Sequence, residues 1–482
     1  MIVLKNYLNG ELVPPINGNY LPLIEPAKGL AFGKVPNSDY MDVEMAVKSA
    51  KNALSDWKNL HSEERFIILN KIAELIDLNN ERLAQAESQD QGKNIKTARA
   101  EIKRAAQNFR FFATACLHFA SESHSNENDS INYTLRQPIG IVGCISPWNL
   151  PLYLFSWKIA PALAAGNCVI AKPSEVTPYT AYLLGELCME AGLPSGVLSI
   201  LHGDGPSVGK AIVEHPQIKA ISFTGSTRAG KEIAAIASPA FKKISLELGG
   251  KNPNVIFADC DFDLAVKTSV QAAFQNQGEI CLCGSRVYIQ RAIFDQFKSA
   301  FIERASKLKV GIPADESCQL GAIVSELHFN KILACIETAK QEGGNILLGG
   351  TPLKMDGAYA QGWYIPPTIL DGLSNSCKTN QEEIFGPVVT LQPFDTEEEA
   401  LALANDCGYG LASTVFTSDL SKAHRFAAGI QAGIVWVNCW LHRDLRTPFG
   451  GVKNSGIGRE GGWDAMRFFT EPKNVCIKYH GS

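Results

Sequence analysis

Ile218-Lys219-Ala220-Ile221-Ser222-Phe223-Thr224-Gly225-Ser226 is the stretch that decides how this chain is built. A β-type run breaks at Gly225 and enters a helix at Ser226. A strand that turns into a helix through a glycine aims backbone N–H groups and the positive end of a helix dipole at one point. That arrangement suits an anion such as a pyrophosphate. A glycine ends many strands, so the flanking pattern carries the weight. Residues 139–146, 168–171, 197–201, 218–223 and 244–248 all read as strands with helical segments between them. One of those helices is announced by Thr177-Pro178 as N-cap and first residue and closed by Gly192. Alternation of this kind predicts a parallel sheet covered on both faces, an α/β fold.

Working outward, three long helical segments precede this region, at roughly 42–57, 62–89 and 97–120. A second alternating region runs from Asn254 to about Asn438, with strands near Val287, Val388, Thr414 and Ile434. Two alternating stretches lack a partner nearby in sequence: Tyr133-Thr134-Leu135-Arg136, and Asn474-Val475-Cys476-Ile477-Lys478-Tyr479 within a tail spanning 468–480. Orphan strands at a domain edge are candidates for pairing between subunits.

With 482 residues the chain exceeds one ordinary core, so two or three domains are expected. Hydrophobic content of 45% and charged content of 20% describe a well-packed globular protein. The net charge of −4 offers no electrostatic footprint for nucleic acid and no polybasic membrane patch. The first residues lack the order of a signal peptide, and no apolar run reaches the roughly eighteen residues a membrane span needs. Thirteen scattered cysteines fit reduced thiols and a cytoplasmic location. Cys281 and Cys283 have no histidine or second cysteine pair nearby, so no metal is expected.

The chemistry gathers at strand ends. Lys172-Pro173-Ser174-Glu175 follows a strand at its carboxyl end, where open α/β sheets bind ligands. A lysine there can reach ribose hydroxyls or a phosphate. A carboxylate there can accept from a ribose and repels a 2′-phosphate, which favours NAD over NADP. The plainer reading is a solvated Lys/Glu pair. His202-Gly203-Asp204-Gly205-Pro206-Ser207-Val208-Gly209 is a second glycine-rich turn. Gly205 and Gly209 are too close for a P-loop and Lys210 is followed by alanine, which argues against a kinase or ATPase. No full G-x-G-x-x-G opens the first strand–helix turn.

Pro147-Trp148-Asn149 places an amide at another strand terminus, able to donate to an oxyanion at a value of ~3 kcal/mol. Glu247 closes an apolar strand, and burial there raises a carboxyl towards general-base range. Asn276-Gln277-Gly278-Glu279-Ile280-Cys281-Leu282-Cys283-Gly284-Ser285-Arg286 sets a thiol on a helix-to-strand turn, whose free N–H groups can stabilise a thiolate and then an oxyanion. A free cysteine is otherwise a small buried hydrophobe, and Asn149 or Glu247 alone would be structural.

Taken together, Trp148-Asn149, Lys172-Pro173-Ser174-Glu175, Phe223-Thr224-Gly225-Ser226, Glu247-Leu248-Gly249-Gly250-Lys251, Gly278-Glu279-Ile280-Cys281 and Glu383-Ile384-Phe385-Gly386-Pro387 resemble the aldehyde dehydrogenase superfamily in order and spacing, over essentially the whole chain. The resemblance implies a Rossmann-like NAD-binding domain (1–120 and 139–248), an α/β catalytic domain (249–450), and a small oligomerisation sheet with bridging segments (121–138 and 451–482). It implies Cys281 as nucleophile, Glu247 as base and Asn149 as oxyanion donor. Cofactor contacts would be Ser146, Trp148, Lys172, Ser174, Glu175, Gly205, Gly209, Phe223, Gly225, Ser226, Leu248, Glu383 and Phe385, the last packing against the nicotinamide. A homodimer or homotetramer is implied as well.

Ile280-Cys281-Leu282-Cys283, Asn108-Phe109-Arg110-Phe111-Phe112 and Arg443-Asp444-Leu445-Arg446-Thr447-Pro448-Phe449 resemble the branch holding 2-aminomuconic and 2-hydroxymuconic semialdehyde dehydrogenases of aromatic-ring or tryptophan catabolism. In that branch arginines at the positions of Arg104 and Arg443 hold a substrate carboxylate, as paired guanidinium forks can. His442 departs from the aliphatic residue often found there, and Arg446 is an alternative clamp residue. The plainer reading of Arg104 is a surface salt bridge. Retinal or a simple aliphatic aldehyde is the alternative substrate. A catalytically silent scaffold is the alternative class, opposed by the intact Cys281, Glu247 and Asn149.

Overall fold

A computed structural model describes residues 1–127 and 129–479. The alternation of apolar strands and helices closes into an eight-stranded sheet whose parallel core runs Lys243–Glu247, Ile218–Thr224, Ile141–Ile145, Cys168–Lys172 and Leu198–Ile200. The first of these in sequence, Ile141–Ile145, lies at the centre. The chain therefore winds outward on one side, returns, and winds outward on the other. Such a reversal opens a crevice at the carboxyl ends of Ile141–Ile145 and Ile218–Thr224, the ligand position of doubly wound sheets. The strands are buried along nearly their whole length, which explains their continuous apolar runs.

Antiparallel strands at both edges were not read from sequence. Asn6–Leu8 and Glu11–Val13 extend one side, and Gly456–Ile457 pairs with Leu246 and Glu247 on the other. A second, seven-stranded sheet is ordered Asn345–Leu348, Thr368–Asp371, Val388–Phe394, Arg286–Gln290, Pro253–Ile256, Ala412–Phe416 and Ile434–Val437. It is parallel except for its Asn345–Leu348 edge.

The two orphan strands turn out to pair with each other: Ser130–Pro138 runs antiparallel to Thr470–Lys478, with Tyr133 opposite Val475, and Ser123–Asn126 completes a three-stranded sheet. Of the tail expected over 468–480, residue 480 lies outside the described residues. The helix expected over 62–89 is two, Ser62–Leu78 and Asn80–Gln91, because Asn79 leaves helical geometry at φ −98° and ψ 17°. Thr177 is not an N-cap: the helix Tyr179–Glu190 starts after Pro178 without a side-chain cap, and the Thr177 hydroxyl donates to the Trp148 carbonyl instead. The helix Ile95–His118 packs between Ser62–Leu78 and Pro151–Ala164. Both its faces are consequently buried, including Asn108 and Ala115 on the side that carries Arg104.

Candidate active site

Cys281 lies just past the helix Phe262–Phe274, on a turn that only an unusual backbone can make. Asn276, Gln277 and Gly278 take φ of 53°, 56° and 73° in succession. At Gly278 a Cβ would come within 2.2 Å of the Gly386 carbonyl oxygen, so the glycine lets the cysteine turn meet the Glu383–Gly386 loop. Asn252 pins the turn by donating from Nδ2 to the carbonyls of Cys281 at 2.7 Å and Cys283 at 2.9 Å, and Trp440 Nε1 donates to Leu282 at 3.0 Å. The Cys281 backbone N–H meets no acceptor among the described residues. Asn149 is buried, and its Nδ2 donates to the Glu279 carbonyl at 2.9 Å, which ties the amide to the cysteine turn and leaves its second N–H uncommitted.

The electrostatics correct one expectation. The free N–H groups do not hold Cys281 as a thiolate: burial, then the charges of Glu383 and Glu247, push the thiol well above its ordinary range, with Arg443 acting in the opposite direction. The resting group is the thiol. Glu247 behaves as its apolar strand suggested. Burial raises it well above the ordinary carboxylate value, Glu460 adds to the effect, and Lys158, Arg459 and Arg443 oppose it. Both Glu247 oxygens are buried without a hydrogen-bond partner among the described residues.

Lys158 and Glu460 were not picked out in the sequence. They form a buried pair at 2.6 Å, and Ser222 Oγ donates to the same carboxylate oxygen at 3.1 Å. Lys158 did leave a signal, being the lone charge in the apolar helix Pro151–Ala164. Glu460 left none.

At the crevice, Ser146 follows Ile141–Ile145 and Ser226 caps the helix Thr227–Ala237, accepting from the Ala229 N–H at 3.2 Å. The hydroxyls of Ser146, Thr224 and Thr227 are buried and have no hydrogen-bond partner among the described residues. Lys172 is buried and donates to Glu175 at 3.1 Å, so the pair is half inside the protein instead of fully solvated. Gly209 packs beside Lys172, on the turn Gly205–Gly209 capped by Asp204. Ser174 Oγ accepts from the Val176 N–H, Phe223 and Leu248 are buried, and Gly225 rests against the Phe223 ring. Glu383 accepts from the Gly250 N–H at 2.9 Å, and a Cβ at Gly249 would strike that carboxylate at 2.2 Å. Phe385 takes φ 64°, a costly conformation for a bulky residue. Its carbonyl is bonded by His328 Nε2 at 2.7 Å, and its ring meets Trp148 edge-on at 5.2 Å. His328, also missed in the sequence, is held neutral, its pKa brought down to about 4 by burial.

Arg104 and Arg443 come from elements far apart in sequence and converge on one side chain. Both guanidiniums lie over the Tyr153 ring, at 5.9 and 5.8 Å from its centre. Arg443 Nη1 donates to the Tyr153 hydroxyl at 2.6 Å and stacks on Phe449 at 4.0 Å. Among the described residues Arg104 does not form the surface salt bridge of its plainer reading: its side chain donates only to Gln107 at 3.3 Å, and its Nη2 is buried without a partner. Arg446 points away, 80% exposed and bound to Asp444 at 2.6 Å, and His442 is exposed. Among the described residues no group of three or more His, Cys, Asp or Glu side chains is placed to hold a metal.

A turn-borne cysteine near a raised carboxyl and a buried amide, at the ends of a doubly wound sheet, is an arrangement suited to thiol chemistry, and the comparisons give the family. The chain belongs to the aldehyde dehydrogenase family, whose model matches residues 14–475. It is 47% identical to the 2-aminomuconic semialdehyde dehydrogenase of Danio rerio, over 99% of this chain and 99% of the relative. It is 43% identical to the 2-hydroxymuconic semialdehyde dehydrogenase of a Pseudomonas species, over 98% and 99%. Among solved structures, the indole-3-acetaldehyde dehydrogenase of P. syringae in complex with NAD+ and IAA matches with a TM-score of 0.96 and 38% identity, covering 98% of this chain and 96% of the other. The HpcC protein of Thermus thermophilus matches at 0.97 and 40%, covering 98% and 93%. The fold is the aldehyde dehydrogenase fold.

Proposed function

We propose that this protein uses NAD+ to oxidise an aldehyde that carries a carboxylate at its far end, 2-aminomuconate or 2-hydroxymuconate 6-semialdehyde, to the dicarboxylate. The observation that carries the substrate reading is the pair Arg104 and Arg443. They are two partly buried guanidiniums on one ring, neither within salt-bridge reach of a carboxylate among the described residues, and one has an unpartnered buried N–H. An uncharged aldehyde would leave both forks with no carboxylate in salt-bridge reach among the described residues. A carboxylate supplies acceptors for both forks.

The crevice fits NAD: orphaned hydroxyls on Ser146, Thr224 and Thr227 stand beside a glycine-broken strand end and a helix N-terminus. Lys172 and Glu175 would hold the adenosine ribose, Gly225 and Ser226 the pyrophosphate, and Glu383 and Phe385 the nicotinamide end. When bound, NAD+ supplies the hydride acceptor.

The chain's own residues do the rest. The Cys281 thiol gives up its proton to solvent, Sγ adds to the aldehyde carbon, and the resulting oxyanion is held by the free N–H of Asn149 Nδ2 and the Cys281 backbone N–H. Loss of hydride leaves a thioester on Cys281. In its ionised form Glu247 takes a proton from water, the hydroxide adds to the thioester carbon, the C–S bond breaks, and the departing sulfur takes that proton back from Glu247 as the acid leaves. Thirteen unpaired cysteines support a reducing cytoplasmic setting, and the open edges of the three-stranded sheet support a homodimer or homotetramer.

The test compares a carboxylated semialdehyde with hexanal by NADH absorbance. Removing either arginine takes away charge-assisted bonds of roughly 1.5–3 kcal/mol, a roughly ten- to hundredfold fall in the kcat/KM ratio between the two aldehydes. Arg→Lys should restore only part of it, because a point charge does not reproduce a planar fork. An unchanged ratio refutes the carboxylate reading.

A further inference from the structure

We infer that Tyr153 is a specificity-determining residue: it positions both guanidiniums of the carboxylate subsite and is itself a third donor there. The inference rests on the carboxylate reading of Arg104 and Arg443. It begins from the hydroxyl. Tyr153 is buried, and its oxygen accepts from Arg443 Nη1 at 2.6 Å, its single hydrogen bond among the described residues. The phenolic proton is therefore uncommitted, beside two cations whose own donors are not matched by any carboxylate. Three donor groups face one another with no carboxylate in salt-bridge reach among the described residues, a combination that suits an anionic oxygen and rejects an amine.

The ring does a second job. Two guanidiniums close together repel, and the negative face of an aromatic ring offsets part of that repulsion. Arg443 has other support, from Phe449 at 4.0 Å and Trp157 at 5.2 Å. Arg104 has little, a Gln107 bond at 3.3 Å besides the Tyr153 ring. Arg104 should thus depend on Tyr153 more than Arg443 does.

The backbone beneath is rigid. Asn108 Nδ2 donates to the Tyr153 carbonyl at 3.1 Å and to Ser156 Oγ at 3.0 Å, which locks the helix carrying Arg104 to the helix carrying Tyr153. That second helix, Pro151–Ala164, begins immediately after Asn149-Leu150. The oxyanion donor Asn149 therefore sits at the entry to the helix that carries the phenol, four residues before Tyr153. The same element thus sets where each end of the substrate lies.

The test uses the full-length enzyme with NAD+ and compares 2-hydroxymuconate 6-semialdehyde with hexanal. Tyr153→Phe keeps the ring and removes the hydroxyl. It should lower the kcat/KM ratio between the two aldehydes roughly tenfold, mainly through KM. Tyr153→Leu removes the ring as well and should lower the ratio further. In that background Arg104→Met should add little, because the arginine has already lost its support. NAD+ affinity serves as the check on folding. Selective losses in the arginine variants with an unchanged ratio in Tyr153→Phe would overturn the role of Tyr153 and leave the carboxylate reading standing. Equal losses on both aldehydes in Tyr153→Phe would assign it to the scaffold and also overturn the inference. Arginine variants that leave the ratio unchanged would remove the carboxylate reading and this inference with it.

Discussion

Glu247→Gln should make the protein inactive and, at alkaline pH, more stable. Both Glu247 oxygens are buried without a hydrogen bond, so ionising the group costs desolvation that no partner repays. Burial is the main cause of its raised value, Glu460 adds to it, and Lys158, Arg459 and Arg443 offset part of it. The sign follows from proton binding. Between the ordinary carboxylate value and the raised one, the folded state keeps a proton that the unfolded state has lost. The contribution of Glu247 to stability is therefore fully present below the ordinary value and is lost as pH rises to and through the raised one. Each pH unit across that window removes about 1.4 kcal/mol. A glutamine has no such dependence.

Thermal unfolding of both forms across roughly pH 5–9 should give curves that diverge as pH rises, the variant melting higher. One kcal/mol corresponds to about 2–4 °C in a domain of about 200 residues. Single-turnover mixing tests the chemistry on the same samples: the variant should form one NADH per active site and then stall as an acyl-enzyme detectable by mass. Parallel melting curves would show that Glu247 is not held protonated by burial. A missing NADH burst would show that it acts before the thioester forms.

Two further outcomes are expected. Cys281→Ala should abolish NADH formation while NAD+ affinity changes little, whereas Cys283→Ala, which alters a buried thiol one residue past the turn, should keep most activity; steady-state rates and cofactor titration separate them. Glu175→Gln should narrow the preference for NAD over NADP, mostly through KM, because it removes a charge that repels a 2′-phosphate and frees Lys172, now bound at 3.1 Å, to attract one; equal use of both cofactors by the unmodified enzyme would refute this.

Much of the fold and the site was legible before any coordinates. Short apolar runs that stop at turn residues are local signals, and they located the five central strands within a residue or two. Because doubly wound sheets gather ligands at strand ends, the same punctuation marked Asn149, Lys172, Gly225 and Glu247. The break at Asn79 was less visible, since helical residues flank it on both sides.

What the amino-acid order determined by itself, then, was the run of elements and the residue types at their ends. The tertiary structure alone decided which distant side chains meet: Glu460 with Lys158 beside Glu247, Arg104 with Arg443 over Tyr153, and the strand Ser130–Pro138 with Thr470–Lys478. It also decided that Cys281 rests as a thiol and that Arg446 turns to Asp444 and solvent. The physical reason is range. Periodicity and turn chemistry act over a few residues, whereas burial, charge and ring contacts depend on what the packed chain brings within a few ångströms from hundreds of residues away.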